Sequence, residues 1–509
     1  MKKIGLFATA LQFLITPVTF AMKTIHENGL AKNGIVAHRG AFKTNKLPEN
    51  SIASLKNAIA LKCAGSEFDV QMTADDSLII NHDPKYNGLT IEKTAYAELK
   101  KTPLSNGEHL PTLQEYLSAG LKNNWSTRLV LEIKPSVFSK ERAQQVTEKV
   151  IKMVHRLGAA PMVVYISFDY DVCKKVKTLD PKAQVQYLNG DKSPEEIKRD
   201  GLDGIDYHFS VFQKHPDWIP QAKHNNIVLN AWTVNNAAEM DWLLANRFDF
   251  ITTNEPELLA ERIKINPVAK GWKLIWSDEF NTNGLPDTTK WGYDVGGNGW
   301  GNNELEYYTK ADTSNAVVRD GKLLIIAKKE NKEHNTFTSA RLVTKGKGDW
   351  RYGRIEVSAK LPIAKGTWPA IWMLPTDWKY GGWPASGEID IMENVGFMPD
   401  TVFGSVHTKS FNHVIHTQKT KGFYLNDADK TFHVYAVEWN KDRIDFFVDA
   451  HPYFSFSNTG KGFAEWPFDQ KFHLILNVAM GGNWGGMRGM DETLKQAVME
   501  VDYVRVFQQ

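Results

Sequence analysis

The rhythm of hydrophobic and polar positions changes once along the chain. From about residue 33 to 262, short aliphatic runs alternate with amphipathic stretches of helical period. "GIVAHRG" reads as strand then loop, "SIASLKNAIALKCA" as helix, and "SEFDVQM" and "SLIINHD" as strands. "RLVLEIKP", "MVVYISFD", "AQVQYLN", "GLDGIDY", "NIVLNAWTV" and "FDFITTNEP" continue the strands, with helical sequence such as "AQQVTEKVIKMVHRLG" and "YDVCKKVKTLD" between them. Strand and helix in turn over roughly 230 residues predict a parallel barrel of the (β/α)8 TIM type. A doubly wound open sheet is the alternative, but no Gly-rich dinucleotide loop follows the first strand. After "KINPVAKG" helical period almost vanishes. "GKLLIIAKKE", "YGRIEVSAKLP", "TFHVYAVEWN", "RIDFFVDA", "KFHLILNVAM" and "VMEVDYVRVFQ" alternate as half-buried strands do, so residues 271–509 read as an all-β sandwich. Residues 28–262 form the first expected domain and 263–270 a short linker.

Composition adds little until its distribution is considered. A 509-residue chain with 42% hydrophobic and 24% charged residues is an ordinary globular composition, too long for one core. A net charge of +2, with no long basic run, gives no reason to expect a nucleic-acid partner. Twelve of the sixteen tryptophans fall in the β half, where a concave sheet can present them to sugar rings. Trp272, Trp276 and Trp439 sit in strand-like runs and are expected in the core. The start differs from the rest: Met1-Lys2-Lys3, then "IGLFATALQFLITPVTF", closing on Ala21. Residues 1–21 thus read as a secretory signal, and the expected location is secreted or periplasmic without stable membrane insertion, since no second apolar span follows. Cys63 and Cys173 are too few for a disulfide scaffold and are expected as buried thiols, a single bridge being the alternative.

Chemistry gathers in two places. In the first half, "AHRG" puts His38 and Arg39 at the carboxyl end of the first strand, the active face of a barrel. Glu67 and Asp69 in "EFD" are two apart on a strand and share a face, as do Glu132 and Lys134 in "EIK". "NHD" adds His82 and Asp83. Oxygen ligands of this kind suit magnesium or calcium rather than zinc, and a hard cation beside Arg and Lys suits a phosphoryl group. Residues 33–260 resemble the glycerophosphodiester phosphodiesterase family through His38, Arg39, Glu49, Asn50, Glu67, Asp69, His82, Asp83, Glu132, Lys134 and Trp232. The resemblance implies a divalent cation on Glu67, Asp69 and Glu132, and His38 and His82 as acid and base in an order left open. It further implies substrate contacts from Arg39, Lys134 and Trp232, and hydrolysis of glycerophosphodiesters. Asn254 departs from the Asp that many members carry, which leaves headgroup preference open.

In the second half, "GEIDIMENVG" carries three carboxylates in one strand, Glu388, Asp390 and Glu393. A flat strand would turn Glu393 away from the other two; a bulge near Ile391 and Met392 would bring it back. Two carboxylates about 5 Å apart support retaining glycoside hydrolysis, and a third can hold them in different ionisation states. Residues 271–509 resemble the laminarinase-like glucanases of glycoside hydrolase family 16, jelly-roll enzymes that cleave β-1,3-glucans. The match runs through "WSDEF", "NNELEYY", "GTWPAIWML", "GEIDIMENVG", "GSVHT" and "LILNVAMGGNWGG". The resemblance implies Glu388 as nucleophile, Asp390 as its assistant and Glu393 as acid/base. Trp368, Trp372, Trp383, Asn303, Glu304 and His407 become substrate contacts, and a structural calcium is implied with Asp502 as candidate ligand. The whole reads as a bifunctional hydrolase acting on β-glucan and on a glycerophosphodiester. The alternatives are a galactan hydrolase of the agarase or carrageenase kind, a sandwich that only binds carbohydrate, and a barrel that scavenges lipid headgroup diesters.

Overall fold

A computed structural model describes residues 29–509, so the signal-like segment 1–21 lies outside the described residues. The chain divides into two compact units between Asn266 and Pro267. Residues 263–270, read as a linker, are themselves largely helical. A helix Pro256–Ile265 ends the first unit, and a 3-10 turn Pro267–Lys270 begins the second.

The first unit is a closed barrel of eight parallel strands: β1 (Ile35–Ala37), β2 (Gly65–Met72), β3 (Arg128–Ile133), β4 (Val163–Ser167), β5 (Gln184–Tyr187), β6 (Gly204–His208), β7 (Val228–Trp232) and β8 (Phe250–Thr253). Closure is made by β1, which pairs with β8 through Ile35 opposite Ile251 and with β2 through Val36 opposite Gly65. Alternation along the strands sorts the side chains: Phe68, Val70, Leu129 and Leu131 join the large core under the helices, while Val36, Val130, Val164 and Ile166 form a smaller cluster. Ser51, Thr112 and Ser193 cap their helices with reciprocal bonds to the third residue on, the reason those helices begin where they do. One strand differs from the expected series. "SLIINHD" supplies only Leu78–Ile80, which lies antiparallel on the edge of β2 rather than in the barrel. Asn81 then hydrogen-bonds Asp69 through its backbone N–H, at 3.0 Å, and this return places His82 near the end of β2. Cys63 and Cys173 are both buried free thiols.

The second unit is a sandwich of two large sheets, antiparallel except for one short parallel pair, Glu306–Tyr308 on Phe337–Ser339. The sheet that carries chemistry is built around β9 (Thr367–Pro375), β10 (Glu388–Glu393), β11 (Thr401–His407) and β12 (Phe472–Met480), in the order β12-β9-β10-β11. Its inner face, with Ile371, Met373, Ile389, Leu474 and Leu476, packs on Ile355, Val357, Tyr435, Val437 and Met499 of the other sheet. Trp272 and Trp439 are buried as expected, whereas Trp276 is half-buried against Trp350. No helix among the described residues is long and apolar enough to cross a membrane.

Candidate active sites

In the barrel, β2 and β3 bring Glu67, Asp69 and Glu132 together, each offering one oxygen within 4.8 Å of the others, and all three are buried. Three carboxylates so close repel one another, and the structure meets that cost with cations. Lys134 Nζ stands 2.9 Å from Asp69 Oδ1 and 3.0 Å from Glu132 Oε1. The Arg39 backbone N–H donates to Glu67 Oε2 at 2.8 Å. Arg39 adopts a left-handed φ of 53° and sends its guanidinium to Glu49 at 3.0 Å. Asn50 donates to Asp69 Oδ2 at 2.7 Å. Burial would raise the Asp69 pKa, but the Lys134 ammonium and the His82 imidazole pull it down to about 2. Glu132 is pushed up to about 8 by burial and then by Asp69, and Glu67 rises well above the carboxylate range for the same reasons. A buried all-oxygen set with too little positive charge is what a hard divalent cation fits.

His38 Nδ1 lies 2.8 Å from Asn254 Oδ1, so it donates there, and Nε2 faces Glu67 Oε2 at 3.9 Å. Burial, then Arg39, lower its pKa to about 4, leaving the ring neutral. His82 is oriented from its Nδ1 by Asp83 Oδ1 at 2.8 Å. Trp232 caps β7, donates its indole N–H to the Asp206 carbonyl at 2.9 Å, and is flanked edge-on by Phe168 and His208, each 5.4 Å away. Those two neighbours carry no sequence signal of their own; only closure of the barrel brings them to Trp232.

In the sandwich, the odd spacing of the acids is resolved as a bulge. Trp372 stands opposite Asp390 but Ile371 stands opposite Met392, which makes Ile391 the inserted residue. Ile389, Ile391 and Met392 all enter the core, and Glu388, Asp390 and Glu393 all line one cleft of about 330 Å³. Trp383 donates to Glu388 Oε2 and Trp368 to Glu393 Oε1, both at 3.0 Å. His407 is 7% exposed and does not line the cleft; its Nε2 lies behind the acids, 3.3 Å from Asp390 and 3.7 Å from Glu388. Burial, then Asp390, pushes Glu388 up to about 8; burial takes Asp390 to about 8; burial and Asp390 raise Glu393 well above its ordinary range.

Asn303, expected as a sugar contact, is not among the cleft-lining side chains; its φ is 57° and its amide donates to Asn483 at 2.8 Å. The wall there is made by Asn302 and Glu304, with Asn302 donating to Glu304 at 3.2 Å. Sequence reading also missed Trp300, Trp378, Arg341, His413 and Asn477, all in the cleft. The Arg341 guanidinium lies 4.6 and 4.7 Å from the ring centroids of Trp300 and Trp372, and Asp294 holds it at 3.0 Å. Asn477 accepts the Trp372 indole N–H at 2.7 Å. Asp502 is half-buried beside Glu279, but Arg505 holds that carboxylate at 2.8 Å. Among the described residues, sets of three ligand-type side chains occur at Glu67, Asp69 and Glu132 and at Glu388, Asp390 and His407, not around Asp502.

Two expectations follow from this geometry. Deleting Ile391 flattens β10 and moves Glu393 toward Glu388 by up to about 3.3 Å, one strand residue. Turnover at this cleft then falls about a hundredfold or more while the unfolding transition stays cooperative. A folded deletion variant with near-normal turnover contradicts the bulge's role. The raised acids also set a pH dependence of stability. Their folded pKa values exceed the unfolded ones, so their contribution is complete below the ordinary values of 3.8 to 4.5 and is lost as pH rises through about 8. The sandwich's calorimetric midpoint therefore falls across that window, and Glu388→Gln makes the fall shallower. A midpoint flat from mildly acidic to mildly basic pH contradicts it.

Comparison with known proteins finds relatives for each half of the chain. The chain matches the "Glycerophosphoryl diester phosphodiesterase family" over residues 38–258 and "Glycosyl hydrolases family 16" over residues 303–505. A third family, "Beta-glucan synthesis-associated protein SKN1/KRE6/Sbg1", matches residues 208–389. The "Beta-glucanase" of Rhodothermus marinus is 53% identical over 246 residues, 47% of this chain and 86% of that protein. The "Glucan endo-1,3-beta-glucosidase A1" of Niallia circulans is 40% identical over 269 residues, 48% of this chain but only 39% of that protein. The "Glycerophosphodiester phosphodiesterase" of Caldanaerobacter subterraneus subsp. tengcongensis is 29% identical over 254 residues, 47% of this chain and 99% of that protein. The solved laminarinase from Rhodothermus marinus is 53% identical and covers 47% of this chain and 97% of its own, with a TM-score of 0.46.

Proposed function

The chain joins a member of the glycerophosphoryl diester phosphodiesterase family to a member of glycosyl hydrolases family 16, and on that premise we propose an exported enzyme with two hydrolytic sites. The sandwich is an endo-β-1,3-glucanase that acts with retention. The observation that carries this is the bulge that puts Glu388, Asp390 and Glu393 on one wall of a cleft with five tryptophans. Glu388 attacks the anomeric carbon. Glu393 gives its proton to the departing oxygen and later takes one from water. Asp390 and His407 hold the proton balance between them. Reducing-end release from laminarin, against agarose and carrageenan, tests the substrate class. A preference for either galactan moves it, and no hydrolysis of any of the three leaves a binding protein.

The barrel is a phosphodiesterase whose Glu67, Asp69 and Glu132 would hold magnesium or calcium. When bound, such a cation supplies positive charge to the phosphoryl oxygens. Arg39 and Lys134 add fixed charge on the same rim. His38, with Nδ1 committed to Asn254, presents Nε2 as the base for the attacking hydroxyl. His82, backed by Asp83, protonates the leaving alcohol. Trp232 offers an apolar wall for the rest of the substrate.

The fusion itself favours a shared polymer, because a tether raises the concentration of one site around the other's substrate. The barrel then removes phosphoglycerol or a related diester from a decorated β-glucan that the sandwich cuts. Phosphodiester release from phosphoglycerol-substituted glucan is to be compared with release from glycerophosphocholine, with and without EDTA. Activity confined to the small diester retires the decorated glucan and leaves a headgroup scavenger. Export rests on the basic head and apolar run of residues 1–21. N-terminal sequencing of the mature protein tests it, and a mature chain that keeps Met1 contradicts it.

A further inference from the structure

The cleft wall nearest Glu388 comes from a twelve-residue loop, 376–387, between β9 and β10, with no regular secondary structure and with Gly381, Gly382 and Gly387 in it. Such a loop has no ladder to fix it, yet it delivers Trp378 and Trp383 to the cleft. Trp383 moreover holds an oxygen of Glu388 at 3.0 Å. Something must fix the loop, and one side chain from the segment before β12 bonds both of its arms. Gln470 is 5% exposed. Its Oε1 accepts the Lys379 backbone N–H at 3.0 Å, and its Nε2 donates to the Ser386 carbonyl at 3.0 Å and the Pro467 carbonyl at 2.9 Å. The amide therefore ties the loop on both sides of Trp383 to a single rigid segment. Support is added by Tyr380, whose hydroxyl donates to Asp469 at 2.7 Å, and by Ser386, which accepts the Tyr380 backbone N–H at 3.0 Å.

We propose that Gln470 is a positioning residue of the glucanase, acting through the 376–387 loop to keep the Trp383 indole on the nucleophile Glu388. This rests on the glucanase reading above. An amide is required because the two bonds on Nε2 are donated and the one on Oε1 is accepted. Glutamate keeps only the acceptor and sets a second oxygen against two carbonyls; asparagine is one methylene short. The loosened loop lets Trp383 leave, and Glu388 loses the donor that favours its charged form.

The test is a double-mutant cycle on the full chain, with kcat and KM for laminarin measured in the wild type, Gln470→Glu, Trp383→Phe and the pair. Gln470→Glu is expected to lower kcat/KM about thirtyfold, mostly in kcat, as for a small misplacement of reacting groups. The acidic limb of its pH profile moves to higher pH. In the Trp383→Phe background the same change costs less than about threefold, because the contact it acts through is already gone. Equal losses in both backgrounds, an unmoved acidic limb, or no loss at all overturn the proposal. Should Gln470→Glu fail to fold, Gln470→Met keeps the volume and drops all three bonds, and wild-type kcat/KM in that variant overturns it too. A wild-type protein that does not cleave laminarin sinks the underlying reading instead, which this cycle distinguishes.

Discussion

Replacing Glu388 by Gln abolishes laminarin hydrolysis, lowering kcat by at least about a thousandfold, in the range seen when a covalent nucleophile is removed. The amide keeps the shape and can still meet the Trp383 indole through its oxygen, so the cleft stays formed. It cannot attack the anomeric carbon. Nor can a neighbour replace it: Asp390 is engaged by His407 at 3.3 Å, and Glu393 by Trp368 at 3.0 Å on the far side of the bulge. The substitution also removes one member of a crowded acidic group, and the sandwich should become more stable at neutral pH rather than less. Reducing-end assays together with calorimetry check both halves. Substantial residual hydrolysis would remove Glu388 from the role of nucleophile.

Replacing Glu67 by Ala lowers phosphodiester hydrolysis about a hundredfold or more, a loss at least as large as that of a group supporting a metal ligand. Glu67 is one of three buried oxygens that converge, and its carboxylate also accepts the Arg39 backbone N–H at 2.8 Å, which sets the strained turn behind His38. EDTA should bring the wild type to the same level, and magnesium or calcium should restore the wild type but not the variant. Release of glycerol 3-phosphate from a glycerophosphodiester is the readout. Activity that survives EDTA would contradict a divalent-cation site on these carboxylates.

How much of this was legible depended on whether the signal was local. The i, i+2 pairs Glu67/Asp69 and Glu132/Lys134 gave their common face directly, since strand alternation is a local rule. The spacing of Glu388, Asp390 and Glu393 pointed to the bulge for the same reason; which residue is inserted, Ile391, needed the partner strand β9. The strand before His82 was misplaced because "SLIINHD" has the same apolar run whether it joins a barrel or folds back on its edge. Arg341, Asn477, Trp300 and His413 come from four separate segments and meet only in the folded sheet. His407 shows the converse. The resemblance implied it as a sugar contact, whereas its place opposite Glu388 on β11 and its 3.3 Å approach to Asp390 needed the folded sheet.

Two independent hydrolytic sites on one chain is the central claim, and one crossed assay tests it most directly. Wild type, Glu388→Gln and Glu67→Ala are each given laminarin and a glycerophosphodiester in the same magnesium-containing buffer, with reducing ends and glycerol 3-phosphate measured side by side. The account predicts that wild type releases both products, that Glu388→Gln loses only the reducing ends, and that Glu67→Ala loses only the glycerol 3-phosphate. A wild type that releases only one product, or a single substitution that removes both from a folded chain, would contradict it.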